Sequence, residues 1–273
     1  MILDGGAPPA PDAPAPYATA PFPAPGATAT DAPSRAFSDF HFAPNIGGHP
    51  DVYEIENRAF DQAGHVLDAM RALAPWAGKT IVDLGCGTGF WLARYAGQAA
   101  RVIGLEPDHS IRARAIQAAR GLPGTEVRPG SAEHTGLPDH SVDIVHARFA
   151  YFFPPGTDAG LTEVLRVLRP GGWLIAVDND YRWGEFADLL SAASSRPTRD
   201  VAADVDEWWR ARGATRHEVR SEWRFASRAD LAAVLGIEFP ERVGRAWLAR
   251  HPAATGLTYG YVLFAVPAGV AAG

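Results

Sequence analysis

The sequence contains a single cysteine, Cys86, so no disulfide can form within the chain. Such scarcity is typical of proteins kept in a reducing compartment, and we expect a cytoplasmic location. No apolar run approaches the roughly 20 residues that a membrane-spanning helix needs. The first residues, Met1–Asp4, lack the basic and apolar regions of a secretory signal, and none is predicted.

The sequence also lacks an excess of basic charge. Its net charge is -6 and its pI is about 5.8. Nucleic-acid-binding surfaces need clustered positive charge to displace counterions, so we expect a small-molecule substrate and no nucleic acid. The composition leaves the oligomeric state open.

Two kinds of catalytic motif are missing as well. There is no G-x-S-x-G elbow of a serine hydrolase, and no histidines or cysteines occur at metal-ligand spacing. The acidic run Asp178–Asp180 has no histidine near it at such spacing, so no metal is predicted there.

The N-terminal residues 1–45 are rich in proline and alanine and show no helical or strand periodicity. A segment of this composition cannot bury a core, and a disordered tail is predicted. Residues 46–267 are expected to form one domain, followed by a short tail at 268–273. Deleting residues 1–40 should leave activity near that of the full chain.

The central stretch is a short apolar strand, Ile81–Leu84, followed by glycines at 85, 87 and 89. The strand is typical of a parallel sheet covered on both faces. The glycines remove side chains where the backbone turns and a ligand comes close, and a helix is expected from about Phe90 to Ala96. A dinucleotide turn would have glycine where Phe90 stands. Asp83 would repel a pyrophosphate and tolerate a cationic ligand.

Further blocks follow in order. A second strand, residues 101–106, ends in Glu106, 21 residues after Gly85, which is the distance at which an acid reaches a ribose hydroxyl. Residues 137–145 form a polar turn and enter a fourth strand, and residues 168–172, LRPGG, precede a fifth. The carboxyl ends of these strands should meet at the edge of the sheet where ligands of α/β folds bind.

The block VDLGCGTG resembles the cofactor-binding motif of class I S-adenosylmethionine-dependent methyltransferases, with the later blocks closest to the ubiquinone/menaquinone-biosynthesis-like branch. The resemblance covers about residues 50–267. It implies a Rossmann-like, seven-stranded, mostly parallel sheet with helices on both faces and an antiparallel last strand. A helical insertion at 226–255, before that strand, is expected on the substrate side.

The resemblance also implies which residues bind S-adenosylmethionine: Tyr53, Asp83, Gly85, Cys86, Gly87, Glu106, Pro107, Ala132, Glu133, Ala147, Arg148 and Phe149. Glu106 would bind the ribose and Glu133 the adenine amino group. Tyr53 would lie on a helix from Val52 to Leu73 that begins at an Asp51 N-cap and breaks at Gly64. The alternatives, Glu133 as a loop acid and Tyr53 as simple packing, stay open.

Catalytic candidates rest on position at the strand ends. His146 could act as a base, Arg148 could hold a substrate carboxylate, and Asp178 could orient an amine. The candidates for the substrate wall are Tyr151, Asp180, Tyr181 and Trp183. His146 could equally be a packed strand residue that faces away from the ligand, and Arg148 could form a structural ion pair.

The predicted function is methyl transfer from S-adenosylmethionine to oxygen, nitrogen or carbon of a small molecule, with S-adenosylhomocysteine as product. One alternative is a protein that binds S-adenosylmethionine without methyl transfer. Another is a nicotinamide-dependent oxidoreductase, which Phe90 and Asp83 disfavour. The sequence does not define the methyl acceptor.

Overall fold

The computed structural model describes residues 43–269, so residues 1–42 of the predicted N-terminal tail and 270–273 of the C-terminal tail lie outside it. The strands are β1 (Thr80–Leu84), β2 (Arg101–Leu105), β3 (Thr125–Arg128), β4 (Val142–Arg148), β5 (Leu168–Asn179), β6 (Thr215–Arg224) and β7 (Gly256–Pro267). The helices are α1 (Pro44–Gly48), α2 (Pro50–Ala59), α3 (His65–Leu73), α4 (Leu92–Tyr95), α5 (His109–Ala118), α6 (Asp158–Val167), α7 (Glu185–Ala193), α8 (Thr198–Arg210), α9 (Arg228–Glu238) and α10 (Glu241–Arg250).

The seven strands form one sheet in the order β3-β2-β1-β4-β5-β7-β6. β1 to β5 pair in parallel, whereas β7 runs antiparallel to both of its neighbours, β5 and β6. The expected Rossmann-like sheet with an antiparallel last strand is therefore confirmed. The strand order reverses between β1 and β4, and α/β folds bind ligands in the crevice at this switch point.

Both faces of the sheet are covered. Because side chains alternate along a strand, Ile81 and Ile144 enter one apolar core while Val82 and Val145 enter the other. Within residues 43–269, no helix is long and apolar enough to cross a membrane.

The N-terminal helix differs from its prediction. In place of one long helix, the structure has α1, α2 and α3, and His49 rather than Asp51 is the N-cap of α2. Pro50 occupies the first helical position, which suits its fixed φ and its missing N–H. The break at Gly64 is confirmed, with φ of 81° immediately before α3. Asp61 Oδ2 accepts from the backbone N–H of Val66, so a side chain outside the helix satisfies one of its first amides.

The helix after the glycine turn is also shorter than predicted. α4 contains four residues, with Trp91 as its N-cap, and does not begin at Phe90. Gly89 has φ of 85° and its N–H donates to the Cys86 carbonyl, so the tight turn extends to residue 89 and delays the helix. The turn is therefore shaped by glycines more than by a helix N-terminus.

Two helices, α9 and α10, lie between β6 and β7, where the helical insertion was expected. α9 packs against α2, which brings its last residue, Glu238, next to the N-terminal helices. Asn45 of α1 donates from Nδ2 to Glu238 Oε1 at 2.7 Å. Helices whose contacting residues are 193 positions apart in the sequence, α1 and α9, thus meet through this hydrogen bond.

Candidate functional site

The glycine turn is closely covered by its neighbours. Gly85 and Gly87 have φ of 66° and 57°, a left-handed conformation that side chains disfavour. A Cβ at Gly85 would lie 2.6 Å from the Cβ of Ala150, just after β4, and one at Gly87 would lie 3.0 Å from Cδ1 of Ile46 in α1. The turn therefore needs glycine both for its backbone angles and for the approach of surrounding groups.

Glu106 lies directly after β2 and faces this turn. Its carboxylate accepts from the backbone N–H of Gly87 at 3.0 Å and of Asp108 at 2.9 Å. Burial raises its pKa to about 7, although these two N–H donors lower it. Glu106, which its spacing from Gly85 predicts to bind a ribose, is therefore held at the turn. Near neutral pH it is partly ionised.

A cavity of about 50 Å³ lies between the turn, α2 and the end of β4. Its lining residues are Tyr53, Glu56, Asn57, Phe60, Gly85, Cys86, Gly87, Thr88, Phe90, Trp91, Arg148 and Phe149. Small-molecule pockets usually measure about 300–1,000 Å³, so this cavity accepts the end of a ligand and not a whole nucleoside. The Thr88 hydroxyl donates to Glu54 of α2, which holds the helix over the turn.

The cavity contains several of the residues predicted from the sequence and omits others. Tyr53, Gly85, Cys86, Gly87, Arg148 and Phe149 line it. Burial raises the pKa of the Cys86 thiol, which keeps it protonated and suits a packing role. Ala132 and Ala147 are buried in the core on the other face of the sheet, and the Pro107 carbonyl accepts from Arg112.

On the strand side of the cavity, the prediction for Asp83 needs correction. Asp83 is fully buried and accepts from Arg148 Nη1 at 2.6 Å and Nη2 at 3.3 Å, so its charge is neutralised before any cationic ligand could meet it. Arg148 also donates to the Tyr95 hydroxyl at 3.0 Å and lies over the Trp91 ring, 4.4 Å from its centroid. The structural ion pair is therefore what the structure shows, in place of an arginine free to hold a substrate carboxylate.

The structure places His146, predicted as a base, in the core and not in the lining of the cavity. The ring is fully buried between Trp76 and Tyr95, with centroid distances of 5.7 and 5.3 Å. Neither ring nitrogen has a hydrogen-bond partner within residues 43–269. Burial, followed by the charge of Arg148, lowers its pKa to about 3. His146 is a neutral core residue.

The two acidic residues at the end of β5 accept hydrogen bonds from nearby backbone groups. Asp178 is buried, accepts from the N–H of Asn179 at 2.7 Å, and has its pKa raised to about 7 by burial. Asp180 accepts from the N–H of Arg182 at 3.0 Å. Neither residue lines the cavity. Because both satisfy nearby backbone groups, the structure does not bring them to a substrate as predicted.

The predicted aromatic wall is likewise not assembled at the cavity. The Tyr151 hydroxyl donates to Glu133 at 2.7 Å and accepts from the N–H of Gly160 at 3.1 Å. Tyr181 packs against the core on the opposite face of the sheet, and Trp183 lies under the Arg220 guanidinium. Glu133 is therefore held by Tyr151, and the wall beside the turn comes instead from Phe60, Trp91 and Phe149.

The helix side of the cavity carries a residue that the sequence analysis missed. Glu56 lines the cavity, and its Oε2 atom is buried without a donor in the described chain. Burial, followed by the charge of Glu238, raises its pKa well above the ordinary value. Helical spacing could have found it, because residues 53, 56 and 57 lie on one face of α2 and Phe60 follows as its C-cap.

Comparison with known proteins agrees with this fold. Residues 82–176 match the family model described as a methyltransferase domain. The chain carries a class I methyltransferase domain. The match runs from β1 into β5 and therefore includes the glycine turn, Glu106 and the end of β4.

Three curated relatives and two solved structures illustrate the likeness. The domain is 38% identical over 109 residues to the ubiquinone/menaquinone biosynthesis C-methyltransferase of Rubrivivax gelatinosus, which is 40% of this chain and 43% of that protein. It is 35% identical over 137 residues to an uncharacterised methyltransferase of Mycobacterium bovis, covering 49% and 55% of the two chains. It is 32% identical over 153 residues to an arsenite methyltransferase of Halobacterium salinarum, covering 51% and 38%. The chain thus spans about half the length of the curated relatives it matches.

The solved structures extend the likeness in fold beyond the matched segment. A methyltransferase-like protein of Bacillus halodurans superposes with a TM-score of 0.54 at 16% identity, over 74% of this chain and 97% of that chain. The YcgJ protein of Bacillus subtilis gives a TM-score of 0.53 at 17% identity, again over 74% and 97%. At these identities the similarity shows the fold alone.

Proposed function

We propose that the protein transfers a methyl group from S-adenosylmethionine to oxygen, nitrogen or carbon of a small molecule. The observation that carries the proposal is the glycine turn at Gly85–Gly87, which meets the Glu106 carboxylate at the end of β2 inside a methyltransferase domain. The net charge of -6 and the single cysteine support a small-molecule acceptor and a cytoplasmic location.

The residues of the turn fit the cofactor. A Cβ at Gly85 or Gly87 would fill the cradle, and Glu106 offers carboxylate oxygens that can accept from two ribose hydroxyls. Tyr53, Cys86 and Phe149 border the same cavity and would contact the cofactor there. Pro107, Ala132 and Glu133 remain our assignment for the adenine side. When bound, S-adenosylmethionine supplies an electrophilic methyl group on sulfur and a neutral leaving group.

The chain itself contributes orientation and exclusion of water. Phe60, Trp91 and Phe149 form an apolar wall beside the turn, and Phe60 meets both other rings edge-on at 5.4 and 6.1 Å. Because His146 is buried outside the cavity, none of our predicted catalytic groups supplies a base there. The rate enhancement would come mainly from positioning and desolvation of the acceptor.

The cavity is small because α1 and α2 lie over the turn. Its 50 Å³ does not hold a nucleoside, and the contacts of Ile46 with Gly87 and of Glu54 with Thr88 hold these helices over the turn. We propose that α1 and α2 swing away when the cofactor binds and close again over it. Such a motion would exclude water from the reacting groups.

Titration calorimetry with S-adenosylmethionine and S-adenosylhomocysteine tests the proposal. We expect micromolar binding of both, and Glu106→Ala should weaken it by about ten- to a hundredfold because it removes charge-assisted hydrogen bonds. Glu241→Ala, at an exposed residue of α10, serves as the control and should bind as the unchanged protein does.

The absence of micromolar binding in the unchanged protein would remove the proposal. Formation of S-adenosylhomocysteine with a panel of small acceptors then tests transfer itself. Cofactor binding without product from any acceptor would overturn methyl transfer and leave a binding protein.

A further inference from the structure

The cavity contains a carboxyl group whose role the glycine turn does not explain. Among the twelve described residues that line it, Glu56 is the one that carries a carboxyl group. The acid nearest the turn in sequence, Asp83, is unavailable because both of its oxygens accept from Arg148. Arg148 also lines the cavity but is paired with Asp83, so Glu56 is the group in the lining that could bind a positive ligand group.

Glu56 hydrogen-bonds with the carboxyl group of Glu238, which requires a proton between the two groups. Apart from that proton, no donor from the part of the chain that the structure describes reaches the buried Oε2 atom of Glu56. Its neighbour is a second carboxyl group, Glu238, which accepts from Asn45 but adds negative charge. Buried polar atoms are nearly always hydrogen-bonded, and an orphaned one needs a proton, a water or a ligand. Two carboxyl groups in contact share one proton unless a cation enters.

The size and position of the cavity limit what can enter. Its floor is formed by Gly85, Cys86 and Gly87, which are the proposed cofactor contacts, and its volume of about 50 Å³ suits a terminal group. S-adenosylmethionine ends in an α-amino acid that carries an ammonium. An ammonium presents three N–H donors and no acceptor, which complements the unsatisfied Glu56 oxygen.

We infer that Glu56, supported from behind by Glu238, binds the ammonium of the amino-acid end of S-adenosylmethionine. The inference rests on the proposed function and adds a specific contact from α2 to it. The two carboxyl groups together offer one negative charge when they share a proton, and two at higher pH. Closure of α1 and α2 over the turn places this charge at the cavity.

Binding of an ammonium by Glu56 should depend on pH. The groups around Glu56 are Glu238 of α9, Tyr53 of α2, Arg148 of β4, and Tyr259 and Tyr261 of β7. Burial raises the pKa of both carboxyl groups, and the charge of Glu238 raises that of Glu56 further, so the pair retains a proton at low pH. Since the ammonium binds the ionised form, its contribution should strengthen as the pH rises from 6 to 8.

The test compares S-adenosylhomocysteine with 5′-methylthioadenosine by calorimetry. The two ligands share the adenosyl thioether, and only the first carries the amino acid. Glu56→Gln should weaken the binding of S-adenosylhomocysteine by at least about tenfold, which is the effect of losing one charge-assisted hydrogen bond. It should change the affinity for 5′-methylthioadenosine by less than about twofold. A cooperative urea unfolding curve for the variant would show that any loss of binding does not come from loss of folding.

Glu54→Gln is the matched control. Glu54 lies on the same helix and accepts from Thr88 of the turn, but it does not line the cavity. Its substitution should therefore change the affinities of the two ligands alike. A loss confined to S-adenosylhomocysteine in Glu54→Gln would mean that the seating of α2 matters and not the Glu56 charge, and it would overturn the inference.

A second variant gives a readout that a purely structural role would not move. In the unchanged protein, the ratio of the two affinities should favour S-adenosylhomocysteine more at pH 8 than at pH 6. In Glu238→Gln the like charge is gone, Glu56 ionises at lower pH, and the ratio should vary less. Glu106 also titrates in this pH range, but it is proposed to contact the adenosyl part that both ligands share. Its effect is therefore the same on both affinities and drops out of their ratio.

The outcomes separate this inference from the proposed function. If neither ligand binds the unchanged protein, the proposed function fails. If both bind but Glu56→Gln leaves their ratio unchanged, the proposed function stands and the inference is overturned.

Discussion

Buried carboxyl groups lie on both sides of the cavity, and their charges are compensated differently. On the strand side, Asp83 is fully buried and paired with Arg148, which also donates to Tyr95. On the helix side, Glu56 faces Glu238, and its Oε2 atom has no donor in the described chain. A paired buried charge is part of the scaffold. A carboxyl group that faces a second carboxyl group and no cation, as Glu56 does between α2 and α9, can accept a cationic ligand.

The largest expected effect comes from breaking the strand-side pair. Arg148→Met would leave Asp83 buried without its counter-ion, and we expect a loss of about 3–5 kcal/mol in the free energy of unfolding. Urea unfolding at pH 7 measures it. The double variant Asp83→Leu/Arg148→Met should recover most of the loss, because an apolar pair of similar size leaves no buried charge.

Arg210→Met is the control for this prediction, since Arg210 pairs with Glu207 at an exposed position of α8. It should leave the unfolding curve nearly unchanged. If Arg148→Met costs no more than Arg210→Met, the strand-side pair is not a scaffold element and the contrast between the two sides disappears.

Glu106 is an intermediate case: its carboxylate accepts from two backbone N–H groups, and Arg112 donates to its backbone carbonyl rather than to the carboxylate. Its pKa is raised to about 7, so it becomes ionised as the pH rises from 6 to 8. The affinity for 5′-methylthioadenosine should therefore increase by several-fold over that range, because the ionised carboxylate accepts more strongly. Calorimetry at pH 6, 7 and 8 checks this, and Glu106→Gln should give a flat profile. A flat profile in the unchanged protein would show that Glu106 does not contact the ligand.

On the helix side, Glu238→Gln should stabilise the protein at alkaline pH. The pKa values of Glu56 and Glu238 are higher in the folded than in the unfolded state, so stability falls as the pH rises through them. The substitution removes one of the two ionising groups and keeps an oxygen for Asn45. We expect a gain of about 1 kcal/mol at pH 8, equivalent to about one pKa unit, and a smaller gain at pH 5.

Urea unfolding at both pH values tests this, with Glu241→Gln at an exposed residue as the control. A loss of stability at pH 8 in Glu238→Gln would indicate that the two carboxyl groups attract each other through their shared proton more than they repel.

The smallest effect is expected for His146→Phe. The ring packs between Trp76 and Tyr95, and neither nitrogen has a partner in the described part of the chain. Phenylalanine keeps the shape and removes two unsatisfied polar atoms, so stability should stay within about 1 kcal/mol or rise. Binding of S-adenosylhomocysteine should be unchanged. A folded variant that has lost methyl transfer would restore His146 as a catalytic candidate.

Local sequence patterns predicted the sheet well. Apolar runs and turn blocks located β1, β2, β4 and β5, while the number of strands was implied by the family resemblance. α5 begins after Asp108, whose side chain accepts from the N–H groups of Ser110 and Ile111. The patterns gave wrong helix boundaries where a left-handed glycine or a capping side chain from outside the helix set the helix start. Gly89 with its positive φ shortened α4, and Asp61 caps α3 from outside the helix.

The site was predicted only in part. The turn glycines and Glu106 follow from spacing within one segment, because a strand–turn–helix unit fixes their relative positions. The direction of a side chain at the end of a strand is not local information. His146 and Arg148 are two residues apart and lie on the same face of β4, yet one packs between aromatic rings and the other pairs with Asp83.

The sequence by itself determined the class of fold, the glycine turn and the acid that faces it, because periodicity and short spacings act within single units of secondary structure. Tertiary structure alone decided that Asp83 is neutralised, that His146 is buried, and that Glu56 of α2 meets Glu238 of α9. Each of these depends on which charges the folded chain brings together from distant positions. The energy of a buried carboxyl group is set by those neighbours and by the loss of water.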